Sequence, residues 1–517
     1  MSDRGAMEFM EKKFIKQIIS VINDNDMDFA DYITKVKYII FFISKILYAC
    51  KLNNIKLEND NFSYIMSKSV LNGSGMGIFN LYSSFDLKLN DVEEKLYRIM
   101  CSSINDKTFD NFLPAKLYEL LLTPKEKKSM GQVYTPLDII DKMLSQSFNI
   151  KKINSNMHIL DPSCGGGYFL IEAFKKIRSS SEFDNFDDKD RYILENIIYG
   201  IDIDEFSIFL TKMGLLFLSN CTDVKLNILK LDFLIDIEES GSEKYKNYFD
   251  LIIGNPPYIG HKQTDKNYRS LLKKKYGEVF YDKSDISYCF FKRSTDFLNI
   301  EGVVCFITSR YFMEAMYADK LREFLKKSFR IVSISDYSGI RIFKGAMVSP
   351  LVLTLCNREG NERNEDTFSY IKHHTDTNKQ ENFHYEQKKL KNSGWVILNN
   401  KEEELFNRIE SISNTYISDV CSIKQGIITG YDKAFIVTEQ EIERYKLENN
   451  LLKKWIKNSN ITKSCIKYNN LYLIYSNMIL HEEDYPNVIN YLKPFKDRLM
   501  NRRECKNGIR KWYELQW

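Results

Sequence analysis

Met157-His-Ile-Leu-Asp161-Pro-Ser163-Cys-Gly165-Gly-Gly167-Tyr-Phe-Leu170 runs from a short apolar stretch through a glycine-rich turn into a second apolar run. The first part reads as a buried strand and the last as the opening of a helix. Three consecutive glycines let the backbone turn tightly and approach a ligand with no side chain in between. Any doubly wound fold can carry such a turn, so its meaning rests on what surrounds it.

Working outward, short apolar runs alternate with longer helical segments from about residue 130 to 360. Strands are expected at 157–160, 197–201, 226–229, 251–253, 302–307, 331–336 and 352–355. Strands alternating with helices imply an α/β fold with a parallel, doubly wound, Rossmann-like sheet.

Three acidic strand ends follow the glycine turn. Gly200-Ile-Asp202-Ile-Asp204 closes the second expected strand, where a carboxylate can accept from both ribose hydroxyls of a nucleoside. Asp202 takes that role, and Asp204 reads as the cap of the next helix. Asp232, in Leu231-Asp232-Phe233, stands where it can accept from an adenine amine, although a strand-end Asp is also a common helix cap.

Asp250-Leu-Ile-Ile-Gly-Asn255-Pro256-Pro257-Tyr258 then ends the fourth strand of the unit. Prolines fix the backbone and lack N–H groups, so carbonyls there stay free to accept. The Asn255 amide oxygen and the Pro256 carbonyl can accept both protons of an aromatic amine. That draws the nitrogen toward sp³ character and bares its lone pair for attack on a sulfonium methyl. Fixed acceptors of this kind stabilise the charge that develops on nitrogen. Tyr258 offers a flat face to an extruded base.

These residues resemble the N6-adenine DNA methyltransferases in their gamma order, the TaqI-like and Eco57I-like enzymes. The resemblance implies S-adenosylmethionine as cofactor and double-stranded DNA as partner. By the same resemblance, Gly131-Gln-Val-Tyr134-Thr135-Pro136 closes over the methionine part of the cofactor, with Thr135 in contact. Ile342-Phe343-Lys-Gly-Ala-Met-Val-Ser349-Pro350 supplies an aromatic, Phe343, against the flipped base. Ile307-Thr-Ser-Arg310-Tyr311-Phe312 also fits the pattern. The cofactor set is then Tyr134, Thr135, Asp161, Ser163, Gly165, Gly167, Asp202, Asp232 and Phe233. The catalytic set is Asn255, Pro256, Pro257, Tyr258 and Phe343.

Gln425-Gly-Ile-Ile-Thr429-Gly430 resembles the start of a TaqI-like specificity domain. Asn501-Arg502-Arg503 and Lys511-Trp512-Tyr513 resemble the CamA-type orphan adenine methyltransferases of spore-forming bacteria. The expected organisation is a helical N-terminal extension (1–125), a catalytic domain (126–360), a polar linker (361–394) and an α+β target-recognition domain (395–517). That last domain reads as truncated, since such domains usually continue well past a point such as Trp517.

The chain has 517 residues, 44% hydrophobic and 28% charged, values of a globular protein. Net charge is only +4, but residues 451–517 hold 13 Lys+Arg against 6 Asp+Glu. A basic end on a near-neutral body suits a polyanion, as a solvated lysine-rich face also would. Arg502, Arg503, Arg510 and Lys511, with Gln425 and Thr429, are the candidates for gripping DNA there. Lys262, in a basic segment that continues through Lys266, Arg269 and Lys273–Lys275, is the candidate beside the flipped base. Ten scattered cysteines without a C-x-x-C pair argue against zinc and disulfides, and no metal is expected. The apolar run 38–48 falls short of the about 20 residues of a spanning helix. No leader opens the chain, so a bacterial, cytoplasmic, nucleoid-associated monomer is expected, with a partner restriction endonuclease an open question. None of the six histidines sits in a motif, and methyl transfer of this kind needs no general base.

Two other activities fit parts of the sequence. Asn-Pro-Pro-Tyr also serves enzymes that methylate RNA adenine or glutamine side chains, though these lack a long C-terminal domain. A fused restriction–modification enzyme would need a nuclease motif. The only candidate near the start is Glu93-Glu94-Lys95, preceded by Asp91, in a helical pattern. A non-catalytic DNA-binding subunit would not need every catalytic residue.

Overall fold

In a computed structural model, the described residues are 14–23, 31–53, 91–103, 112–123, 134–219, 221, 224–235, 245–260, 264–340, 342–343, 349–358, 366–374, 380–422 and 424–516. They fall into two compact units, Met1–Glu403 and Glu404–Trp517.

The first unit is built on a nine-stranded sheet. Its elements in chain order begin with α1 (Tyr32–Asn53), α2 (Asp91–Ser103), α3 (Leu113–Leu121), α4 (Leu137–Ile150), β1 (Ile159–Asp161) and α5 (Tyr168–Arg178). Then come β2 (Ile198–Asp202), α6 (Glu205–Leu218), β3 (Asn227–Lys230), β4 (Phe249–Gly254), α7 (Lys266–Tyr276) and α8 (Ser287–Phe297). The unit closes with β5 (Leu298–Ser309), α9 (Asp319–Ser328), β6 (Phe329–Asp336), β7 (Pro350–Asn357), β8 (Thr367–His373) and β9 (Gln380–Glu386).

The spatial order is β3-β2-β1-β4-β5-β7-β6-β8-β9. Strands β3, β2, β1, β4 and β5 are mutually parallel. All seven expected strands form. The expected parallel, doubly wound sheet holds for those five parallel strands, and beyond them β7 inserts antiparallel between β5 and β6.

Successive side chains of a strand point to opposite faces, and the core follows that rule. Ile159, Leu251, Ile253, Val303, Cys305 and Ile307 pack on one face with α4 and α5. Leu160, Ile252, Val304 and Phe306 pack on the other with α8 and α9. Both faces being covered explains why β4 is buried along its whole length and reads as an apolar run from Leu251 to Ile253.

The N-terminal helices are not a separate body. Helix α6 is apolar all round, which requires cover on its outer side as well. Ile208 and Leu215 face the sheet, while Phe206, Phe209, Met213 and Phe217 share a core with Ile39, Phe42 and Ile46 of α1, Leu96 of α2 and Tyr118 of α3. Lys51 fastens this layer, its ammonium donating to the carbonyls of Leu216 (2.9 Å), Phe217 (2.7 Å) and Ser219 (2.6 Å) at the carboxyl end of α6. A cation there meets both the unpaired carbonyls and the helix dipole. Glu93 is buried and accepts from the Tyr38 hydroxyl at 2.6 Å, a packing contact inside this layer.

The segment expected as a linker needs correcting. Residues 367–373 and 380–386 form the hairpin β8–β9, which extends the sheet beyond β6. Trp395, expected in the second domain, is 1% exposed and packs on Phe312 of the first unit at 5.4 Å. Its backbone N–H donates to the Met313 carbonyl at 2.9 Å.

The second unit has its own core, including Phe435, Val437, Leu473, Val488, Leu499 and Tyr513. A small antiparallel sheet orders Ile436–Thr438, Leu471–Ile474 and Leu452–Lys454, with short helices around it. Among the described residues no helix is long and apolar enough to cross a membrane.

Candidate functional site

Strand order reverses between β1 and β4, each parallel to its neighbours, and open α/β sheets bind ligands at the carboxyl ends beside such a reversal. A cavity of about 510 Å³ lies there. Its wall includes Tyr134, Thr135, Asp161, Ser163, Gly165, Asp202, Asp232 and Phe233 of the expected cofactor set, together with Asn255, Pro256, Pro257 and Tyr258. Residues as far apart in the chain as Tyr134 and Phe290, 156 positions, thus meet in one hollow.

The glycine turn is held from both sides. Asp161, 1% exposed at the end of β1, accepts from the Ser163 N–H at 3.0 Å. Asp202 accepts from the Gly165 N–H (2.8 Å) with one oxygen and from the Asp204 N–H (2.9 Å) with the other. Gly167 does not reach the cavity wall. It has a φ of +81° at the start of α5, and a Cβ there would lie 2.9 Å from the Thr211 Cα of α6. Its place in the cofactor set is therefore corrected to that of a backbone hinge. Asp204 caps α6, accepting from the Ser207 N–H and hydroxyl, both at 3.0 Å.

Burial sets the electrostatics. The Asp161 carboxyl is pushed up to about 8, chiefly by desolvation and further by the nearby Asp202 charge, against the Ser163 hydrogen bond. Burial also raises Asp202, opposed by its backbone donors. Two acids beside each other in a dry wall make a site that favours a cation or hydroxyl donors.

Asp232 lies just past β3. One oxygen accepts from the Leu234 N–H and the other from the Tyr268 hydroxyl, both at 2.8 Å. Phe233 is buried and stacked with Phe290 at 5.5 Å.

Asn255 follows β4 directly, so its position is fixed by the sheet. Tyr258 donates its hydroxyl to the Ile307 carbonyl of β5 at 3.1 Å, which fixes the ring plane. Burial raises its pKa well above the usual value and keeps it a donor. Phe343 is 2% exposed and outside the cavity wall. Its ring lies 6.2 Å from that of Tyr258, so in this structure it backs Tyr258 and does not face the hollow.

Other expected residues are distributed unevenly. Residues 131–133 and Lys262 lie outside the described residues. In the second unit, Gln425, Arg503 and Lys511 are exposed and Arg510 is partly so. Thr429 is buried and donates to Asp432 at 2.6 Å, which makes it part of a turn. Arg502 is also corrected. Its guanidinium donates to the carbonyls of Leu499 (3.0 Å), Thr429 (3.2 Å), Trp512 (2.8 Å) and Glu514 (2.8 Å), so it ties the fold together and has little left for DNA. Wall residues not foreseen include Ile259 and Ile286, and Tyr268 and Phe290 from helices that follow the Asn-Pro-Pro-Tyr motif. Among the described residues no group of acids, histidines and cysteines could hold a metal.

Three family models match the chain. "Eco57I restriction-modification methylase" covers residues 196–343, "MmeI, DNA-methyltransferase domain" covers 140–231, and "Type II methyltransferase M.Eco57I, C-terminal domain" covers 391–514. Type II methyltransferase M.BanIII of Aneurinibacillus aneurinilyticus is 25% identical over 77% of this chain and 75% of its own length. Type II methyltransferase M.BstVI of Geobacillus stearothermophilus is 22% identical over 76% of this chain and 75% of its own. Among solved structures, the type IIL restriction-modification enzyme MmeI in complex with DNA aligns with a TM-score of 0.60 and 14% identity, over 98% of this chain and 77% of that one. The matches give the chain Eco57I/MmeI-type methyltransferase domains in gamma order on a class I methyltransferase fold, and they support S-adenosylmethionine as the cofactor. The wall fits that cofactor. The Thr135 and Ser163 hydroxyl oxygens are buried without a partner among the described residues, polar positions that await a polar ligand.

Proposed function

We propose that this Eco57I/MmeI-type DNA methyltransferase transfers a methyl group to the exocyclic N6 amine of adenine in duplex DNA, taking the base out of the helix to do so. The observation that carries the reading is the meeting of Asn255-Pro256-Pro257-Tyr258 with the glycine turn, Asp202 and Asp232 in one cavity.

S-adenosylmethionine, when bound, supplies an electrophilic methyl group. Asp202 would accept from the ribose hydroxyls and Asp232 from the adenine amine of the cofactor. The turn 161–165, with Tyr134 and Thr135, would hold its methionine end. Asn255 and the Pro256 carbonyl would accept the two amine protons of the target base. Both acceptors are fixed before the base arrives, one by β4 and the other by the proline backbone. Tyr258, its hydroxyl tied to β5 and its back against Phe343, would stack on the target ring.

Extruding a base costs a few kcal/mol, which contacts to the flanking duplex have to offset. The match of 391–514 to the C-terminal domain of a type II methyltransferase supports assigning that task to the second unit, with Arg503, Arg510, Lys511 and Gln425 as its exposed polar contacts. A fused nuclease draws no support from Glu93, which is buried against Tyr38. One experiment tests the reading in cells. N6-methyladenine mapped genome-wide with the gene present, deleted, or carrying Asn255→Ala should appear at one sequence motif only in the first case. Methylation that persists in the Asn255→Ala strain would refute it.

A further inference from the structure

Helix α7 follows the Asn-Pro-Pro-Tyr motif and reaches back to the cofactor side of the cavity. Asp265 caps its start, accepting from the N–H groups of Asn267 (2.9 Å) and Tyr268 (3.1 Å). Tyr268 lines the cavity, and its hydroxyl donates to Asp232 at 2.8 Å. At the far end of the same helix, Tyr276 donates to the Leu234 carbonyl at 2.5 Å. The segment 232–234 is therefore gripped twice by one helix. Only the grip through Tyr268 touches a carboxylate in the cavity wall.

We propose that Tyr268 is a positioning residue for recognition of the cofactor's adenine, holding the Asp232 carboxylate in the rotamer that accepts the exocyclic amine. The inference rests on the assignment of Asp232 to that amine. With Leu234 N–H on one oxygen and Tyr268 on the other, the carboxylate cannot rotate without breaking a bond. An ionised carboxylate has about four acceptor sites, so these two donors do not exhaust it. Burial and the neighbouring Asp232 charge raise the Tyr268 pKa, which keeps the phenol a donor. Without the hydroxyl, Asp232 gains rotamers, and the site loses its means of telling an amine from a carbonyl at that ring position.

Binding of S-adenosylhomocysteine and of S-inosylhomocysteine, in which a carbonyl replaces the amine, is measured by calorimetry on the full chain. Wild type should prefer the adenosine compound. Tyr268→Phe should cut that preference by about tenfold, the size of one hydrogen bond to a charged group, while leaving inosine binding nearly unchanged. Tyr276→Phe, which loosens the same loop without touching Asp232, should keep the wild-type preference. The proposal is overturned if Tyr268→Phe discriminates as wild type does, if both variants lose discrimination equally, or if Tyr268→Phe binds neither compound. If wild type itself shows no preference, the assignment of Asp232 fails and takes this inference with it.

Discussion

A Cβ on Gly254 would lie 2.6 Å from the Asp161 carboxylate, so the last residue of β4 touches the last residue of β1 where a side chain cannot fit. The two strand ends that flank the reversal of strand order are thereby brought as close as their backbones allow. Asp161 begins the glycine turn and Asn255 follows Gly254, so this contact sets the distance between the cofactor side and the target side of the cavity.

Gly254→Ala should therefore push Asp161 from its place. Overpacking of this kind costs about 1–3 kcal/mol. Denaturant unfolding should show a loss in that range, and affinity for S-adenosylhomocysteine should fall with it. Wild-type stability and affinity in this variant would mean that the strand ends are free to separate.

Asp161 also predicts a pH dependence. Burial pushes its carboxyl up to about 8, against 3.8 for an ordinary aspartate. Its folded pKa is raised, so the folded chain holds a proton that the unfolded chain has lost, and this group's contribution to stability falls as pH rises from about 4 to 8. A methionine ammonium docked beside it favours the ionised form. Binding should then release up to one proton below pH 8, and affinity should rise as pH climbs to that value. Calorimetry of S-adenosylhomocysteine binding in two buffers of different ionisation heat measures the release. Asp161→Asn should abolish it, and a release unchanged in that variant would exclude Asp161 as the source.

How much of this was legible in the sequence depended on burial. Strands covered on both faces give apolar runs, as β4 does from Leu251 to Ile253, and the motifs sit at their ends, so 12 of the 24 residues lining the cavity were named from sequence. β8 buries only alternate residues, and its polar positions between Asn357 and Lys391 read as a linker. Tyr268 was hidden inside a lysine-rich helix, because sequence spacing says nothing of which neighbouring loop a phenol reaches. Arg502 looked like a DNA contact because a guanidinium serves phosphates and backbone carbonyls equally well.

The ring of Tyr258 and its hydroxyl should separate by mutation. Tyr258→Phe keeps the stacking face and loses the bond to Ile307, so kcat should fall only a few-fold, about one ordinary hydrogen bond. Tyr258→Ala loses the face, and base–aromatic stacking is worth about 1–3 kcal/mol, so kcat/KM should drop about 10- to 100-fold. Equal losses in the two variants, in steady-state assays on duplex DNA, would remove stacking from the account.

Two adjacent arginines should part in the same way. Arg502→Ala strips donors from four backbone carbonyls and should destabilise the second unit by about 2–4 kcal/mol. Arg503→Ala should leave the melting temperature alone. It should weaken DNA binding and lower the slope of log affinity against log salt by about one. Melting curves and salt titrations on both variants decide the matter.

If Asn255 and Pro256 present fixed acceptors to an adenine amine, methyl transfer should be confined to that amine and depend on Asn255. Duplex DNA containing the mapped motif is incubated with the protein and S-adenosylmethionine labelled in the methyl group, then digested to nucleosides and separated. Label should appear in N6-methyl-2′-deoxyadenosine alone, falling at least about 100-fold with Asn255→Ala while S-adenosylhomocysteine still binds. Label in a methylated cytosine, or undiminished label from the Asn255→Ala protein, would contradict that role for the two residues.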